Sequence, residues 1–212
     1  FSNVIRYAPA ILKNPIPNSS ATEQLRRHSF LSLDSLSKTL TISTGINEIT
    51  ENIFVPSGYT LVVNEGVQLK FSPNVGIICF GKILLNGRLE DPVVLESLYP
   101  DRYWSGIVVI GNREKSASTF NNVIIRNVKN VDSNKWRQTG SVVFYRSNLT
   151  ITNLNIRNAY SEDALNIIES NFQIKNLNVS NTASDAVDID FSDGYIYSGQ
   201  FKNIGHFGGG DA

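Results

Sequence analysis

From residue 40 onward apolar and polar residues alternate in short runs, and the runs recur. Ser147-Asn148-Leu149-Thr150-Ile151-Thr152-Asn153-Leu154-Asn155-Ile156-Arg157-Asn158 aligns with Ser170-Asn171-Phe172-Gln173-Ile174-Lys175-Asn176-Leu177-Asn178-Val179-Ser180-Asn181. Within each segment of these runs every second residue is apolar, and both runs close on asparagine. A looser copy follows at Asp193-Gly194-Tyr195-Ile196-Tyr197 and Phe201-Lys202-Asn203, and an earlier partial one, Val123-Ile124-Ile125-Arg126-Asn127, aligns with Leu154 to Asn158. The closing asparagines step by 158 − 127 = 31, 181 − 158 = 23 and 203 − 181 = 22 residues, the longer step being absorbed by an insertion at 128–140. Period-two alternation is the signature of strands. A period in the low twenties built from strands marks repeats that each bury an apolar face against the next. Leucine-rich repeats share that period but need a Leu-x-x-Leu-x-Leu frame and usually a helical segment, and neither is found here.

The same pattern extends towards the N-terminus. Thr41-Ile42, Ile53 to Val55, Leu61 to Val63, Val67 to Phe71, 76–80, Lys82 to Leu85 and 92–96 read as strands, punctuated by Gly45-Ile46-Asn47, Pro56-Ser57-Gly58, Asn64-Glu65-Gly66, Gly81, Asn86-Gly87 and Asp91-Pro92. Before them, Ser20-Ala21-Thr22-Glu23 is a capping box, and Leu25, Phe30 and Leu31 follow at near-helical spacing, which predicts one short helix over 21–33. Residues 1–19, with Pro9, Pro15 and Pro17, read as irregular. The expected organisation is an N-terminal extension with a capping helix over 1–39 and a stack of strands over 40–212. The helix is expected to lie as a lid on the unpaired strand edges of the first layer. Asp163-Ala164, Asp185-Ala186 and Asp211-Ala212 each open a repeat, so the stack is expected to continue beyond the given C-terminus. The absence of Met and the start at Phe1 fit a mature or excised fragment.

Stacking turns the alignment into columns, with successive strands about 4.7–4.9 Å apart. The expected inward columns are Phe120/Ile151/Ile174/Tyr197, Ile125/Ile156/Val179/Phe201, Val142/Leu165/Val187 and Phe144/Ile167/Ile189. The asparagine column Asn127/Asn158/Asn181/Asn203 is expected at a bend, where Asn tolerates the left-handed conformation and stacked amides hydrogen-bond along the axis. The remaining strand faces outward through Val143/Asn166/Asp188 and Tyr145/Ile168/Asp190, so its surface turns acidic along the stack. Arg146 and Glu169 share a column and are expected to pair. The insertion at 128–140, carrying Lys129, Asp132, Lys135, Trp136 and Arg137, is expected to project from one face, as is a polar excursion at 113–118.

On these repeats and on the wording Val55-Pro56-Ser57-Gly58-Tyr59-Thr60-Leu61, Gly66 to Phe71 and Trp104-Ser105-Gly106-Ile107, the chain resembles the pectate-lyase-like superfamily and secreted bacterial surface proteins of the same build. The resemblance covers roughly residues 40–212. It implies an all-β fold, a right-handed single-stranded parallel β-helix (solenoid) of three sheets, and a secreted or cell-surface location. Asn181-Thr182-Ala183-Ser184-Asp185 resembles in part the Asn-Thr-Asp-Gly motif of polygalacturonase-like members, with Ala183-Ser184 interrupting it. Gly205-His206-Phe207-Gly208 approximates their Gly-His-Gly element.

Composition narrows the partners. Nineteen basic against nineteen acidic residues give no global field for nucleic acid or an anionic membrane, and no apolar run approaches a membrane span. The single Cys79, inside Ile77-Ile78-Cys79-Phe80, is expected to be buried and inert. Trp104 reads as a packing residue at a turn. His28 and His206 have no nucleophile or metal partner at a recognisable spacing.

The acidic face carries the candidate chemistry. Asp188 and Asp190 are two apart on one strand, hence on one face and about 6.5–7 Å apart. The ligand-binding candidates are Tyr145, Asn166, Asp185, Asp188 and Asp190, with no catalytic or metal-ligating residue assigned and no cofactor expected. The preferred reading is a scaffold binding polysaccharide or a surface protein. Two alternatives share the same residues: a polysaccharide hydrolase, lyase or epimerase using Asp188 and Asp190, and a Ca²⁺ site in which Asp185 joins them.

Overall fold

The computed structural model describes residues 19–111, 117–133 and 136–206, with backbone only for Asp132, Ser133 and Trp136. The expectations placed on residues 1–18, most of the 113–118 excursion, Lys135, Gly208 and Asp211-Ala212 lie outside the described residues. Helix α1 (Ala21–Arg27) precedes strands β1 (Ser32–Asp34), β2 (Thr39–Ile42), β3 (Ile46–Ile49), β4 (Ile53–Val55), β5 (Thr60–Asn64), β6 (Gln68–Phe71) and β7 (Ile77–Cys79). Then come β8 (Lys82–Asn86), β9 (Val93–Ser97), β10 (Ile107–Ile110), β11 (Ser118–Lys129), β12 (Asp132–Ser133), β13 (Trp136–Arg137) and β14 (Gly140–Tyr145). The C-terminal portion comprises β15 (Leu149–Tyr160), β16 (Asp163–Ile168), β17 (Asn171–Thr182), β18 (Asp185–Asp190), β19 (Asp193–Ile196) and β20 (Gly199–Lys202).

The sheets correct the expected architecture. In place of a right-handed single-stranded parallel β-helix of three sheets, the strands gather into a twelve-stranded sheet of mixed direction, curved as a half-barrel, and a separate six-stranded parallel sheet, β18-β16-β14-β10-β7-β4. The larger sheet is mixed because β1 runs antiparallel to β2, Leu33 opposite Leu40. It is single because β11, β15 and β17 each continue for 12 residues through a corner. The corner is one left-handed residue, Asn122, Asn153 or Asn176, with φ of 49°, 57° and 59°. A one-residue corner bends the chain without a loop, so pairing resumes on its far side: Asn121 faces Thr152 and Val123 faces Leu154. β8 and β9 therefore both attach to β11, and two expected sheets become one.

The strand register follows the repeat period. Ile151 pairs with Phe120 and Ile174, Ile156 with Ile125 and Val179, and Leu165 with Val142 and Val187. One expected column is off by a residue: Ile196, not Tyr197, faces Ile174. Tyr197 is accordingly exposed while Ile196 packs on the core. The apolar columns form a core running from Leu40 to Ala186, and each buried large side chain contributes about 1.5–3 kcal/mol. Trp104 lies fully buried in it, stacked on Phe71 at 4.2 Å with its indole N–H donating to the Arg126 carbonyl at 2.9 Å.

Two further expectations change. Helix α1 ends at Arg27, six residues early, because Ser32–Asp34 is recruited as the antiparallel edge strand β1. The insertion does not simply project. Its residue Val131 is buried with Phe54, Ile78, Val108 and Val143 on the outer face of the six-stranded sheet. Those four residues alternate with the core-facing positions, so this sheet is apolar on both faces over its first four strands.

Candidate functional site

The outer face of the six-stranded sheet changes character at β16. In register with Val108 and Val143 come Asn166 and then Asp188, and in register with Ile110 and Tyr145 come Ile168 and Asp190. Asp185 lies beside Asp163, and Asp163 beside Gly140. All five predicted ligand-binding residues are thus on the C-terminal half of one sheet, but they do different things.

Asn166 is the hub. It is 2% exposed, and its amide nitrogen donates to Asp163 Oδ2 at 2.8 Å, Thr139 Oγ1 at 3.2 Å and Asp188 Oδ2 at 3.3 Å. Its Oδ1 is buried without a partner, as is Oδ1 of Asp185. Gly140 makes room for it, since a Cβ there would stand 2.8 Å from Asn166 Cβ and 2.9 Å from Val143 Cγ2. Asp163, which opens its repeat, is 3% exposed. Burial pushes its carboxyl above the ordinary value, against the hydrogen bonds from Asn166 and Thr139 and with the charges of Glu162 and Asp185. Asp188 is also raised, first by burial and then by the charges of Asp190 and Asp163. Burial and neighbouring carboxylates thus disfavour the charged form of both acids, while the Asn166 amide favours it at Asp163.

Asp190 is exposed at the end of β18, and Tyr145 is half-buried two strands away, its ring beneath the Arg146 guanidinium at 5.1 Å. Arg146 in turn donates through Nε and Nη2 to the Glu169 carboxylate, at 2.9 and 3.3 Å, which is the pair the columns led one to expect. Beside the hub, at the foot of the 128–140 insertion, lies a cleft of about 300 Å³ lined by Lys129, Arg137, Thr139, Tyr160 and Glu162 among others. Thr139 belongs to both, so the cleft and the acidic hub are contiguous. The sequence signal for Asp163 was present in the repeated Asp-Ala step, but nothing local distinguished a buried aspartate from an exposed one.

Among the described residues no group of three or more His, Cys, Asp or Glu side chains is placed to hold a metal ion. No described helix is long and apolar enough to cross a membrane. Cys79 is buried and unpaired, its thiol pushed up to about 12 by burial.

No known protein family matches this chain, and no solved structure does. A 47-residue segment is 43% identical to part of Protein bark beetle from Drosophila melanogaster. The match covers 22% of this chain and 2% of that protein, so the two share a short stretch.

Proposed function

We propose that the chain is a non-enzymatic binding scaffold, secreted or on the cell surface, that presents the outer face of its six-stranded sheet to a polysaccharide. One observation carries this reading: Ile110, Tyr145, Ile168 and Asp190 form a single outward column in which an aromatic rung stands between two aliphatic ones and the last rung is acidic. The rungs are about 4.7–4.9 Å apart, comparable with the length of one sugar ring in an extended glycan. Aromatic and aliphatic rungs offer the apolar faces of sugar rings a surface, and Asp188 and Asp190 offer acceptors to their hydroxyls. The stacked core beneath keeps the rungs at fixed spacing, which removes an ordering cost from binding. An array of neutral and uronic-acid glycans, followed by titration calorimetry on the intact chain, tests it. Binding weakened at least about tenfold, or roughly 1.4 kcal/mol, in both Tyr145→Ala and Asp190→Asn is expected. No glycan bound, or binding indifferent to both changes, overturns the reading.

A second reading rests on the raised carboxyl of Asp188 beside Asp190. Two carboxyl groups about 6.5–7 Å apart along one strand fall at the lower edge of the spacing used by inverting glycosidases. Release of reducing ends that disappears in Asp188→Asn replaces the scaffold with an enzyme.

A further inference from the structure

An asparagine inside a strand needs a reason, because its short amide fits the pleated surface poorly. On β17, Asn176 and Asn181 have one. They hold left-handed φ of 59° and 58°, and each donates to the asparagine one repeat earlier, Asn153 at 2.7 Å and Asn158 at 3.1 Å. Asn178 lies between them and does neither. It stays in the extended strand, and among the described residues its side chain makes no hydrogen bond. Its amide is not buried either, in contrast with the unpartnered atoms of Asn130 and Asn166, so both of its polar atoms meet solvent.

What sets Asn178 apart is the residue two places on. Asn178-Val179-Ser180 has the Asn-x-Ser/Thr form of an N-glycosylation acceptor, whereas the same positions one repeat earlier read Asn155-Ile156-Arg157. Val179 is 1% exposed and points into the core, so Asn178 and Ser180 both point outward from the twelve-stranded sheet. Their neighbours across the strands are all polar: Asn155 and Gln200 beside Asn178, Arg157 and Lys202 beside Ser180. A bulky, hydrated group attached there displaces no apolar packing. A second match, Asn148-Leu149-Thr150, differs in that Asn148 Oδ1 accepts from the Asn171 N–H at 2.9 Å, which ties that amide into the stack. A third, at residues 18–20, begins outside the described residues.

We propose that Asn178 is an N-glycosylation site, an inference that rests on the reading of the chain as secreted. Its Nδ2 attacks the anomeric carbon of an oligosaccharide carried on a lipid diphosphate. The N–C bond forms, the bond from that carbon to the diphosphate oxygen breaks, the amide gives up one proton and the lipid diphosphate leaves. The glycan then covers the outer faces of β15, β17 and β20. Tyr145 and Asp190 lie on the other sheet, so their face stays open to a ligand. The two sheets thereby take different tasks, one shielded by sugar and one presented to a partner.

The intact chain is secreted from insect cells behind a cleavable signal peptide and treated with peptide-N-glycosidase in heavy-oxygen water, which converts each glycosylated asparagine to a labelled aspartate. Mass spectrometry of its peptides is expected to place the label on residue 178. Mapping reads each acceptor separately, so a glycan on Asn148 is not mistaken for one on Asn178. The label at 178 is expected to be lost in Asn178→Gln and in Ser180→Ala, and kept in Ser180→Thr. An unlabelled residue 178 in the secreted parent overturns the proposal and leaves secretion standing. Recovery of the natural protein from the cytosol alone overturns the secreted reading and the proposal with it.

Discussion

Asn158 illustrates how one residue does two jobs. Its backbone sits at φ 57°, where most side chains are strained by about 1–2 kcal/mol, and its amide is a rung between Asn127 and Asn181. Replacement by glycine removes the rung but keeps the conformation, whereas replacement by alanine loses both. Asn158→Ala is therefore expected to destabilise the chain more than Asn158→Gly, by about 1 kcal/mol, in paired urea denaturation curves. Equal losses would mean the ladder alone matters. The first asparagine column was legible from spacing. The second, Asn122/Asn153/Asn176, with Asn153 donating to Asn122 and Asn176 to Asn153 at 2.7 Å each, was equally periodic but hidden inside what reads as continuous alternation.

At the scale of the element, α1 shows how little helix is needed to close an end. Ser20 accepts from the Glu23 N–H at 3.2 Å, as the capping box led one to expect. The seven-residue helix serves mainly to hold Gln24, fully buried, between Ser19 and the Phe54 N–H. Gln24→Leu keeps the volume and removes the acceptor, leaving a buried N–H unpaired at a cost of about 1–3 kcal/mol. In a chain of this length each kcal/mol lowers the melting temperature by about 2–4 °C, so a calorimetric scan is expected to show a fall of at least a few degrees. An unchanged melting temperature would show that water or another group satisfies Phe54. The helix boundary was misread because Leu31 and Leu33 satisfy helical spacing and strand alternation alike, and pairing with Leu40 decided between them.

For the whole molecule, the buried acids make stability depend on pH in an unusual sense. Asp163 and Asp188 both have folded-state values above the ordinary 3.8. Between that value and the raised one the folded chain binds more protons than the unfolded chain. Their contribution is thus fully present below 3.8 and is lost as pH rises through the folded values. His28, held below 6.5 chiefly by burial, acts in the opposite direction and is cancelled by comparing variant with parent. Asp163→Asn is expected to leave the melting temperature nearly unchanged near pH 3.8 and to raise it progressively towards neutrality. A variant less stable than the parent at neutral pH would show that the Asp163 carboxylate is a needed acceptor for Asn166.

What the residues determined by themselves was periodicity: which positions alternate, which repeats align, which asparagines must bend the chain, and that Arg146 meets Glu169. Those follow from local sterics and from a repeat that places each residue beside its own copy. The tertiary structure decided what no single strand records. A one-residue corner lets two sheets run together, because pairing on either side of it is unbroken. The 128–140 insertion places Val131 on an outer face whose Phe54, Ile78, Val108 and Val143 are apolar on the side expected to meet solvent. The same columns are buried at Ile167 and exposed at Ile189 because burial belongs to the layer above, not to the residue. Asp163 and Asp188 resist ionisation chiefly because packing buries them, and two neighbouring strands bring both to the Asn166 amide; proximity across strands separated by some twenty residues is a property of the fold.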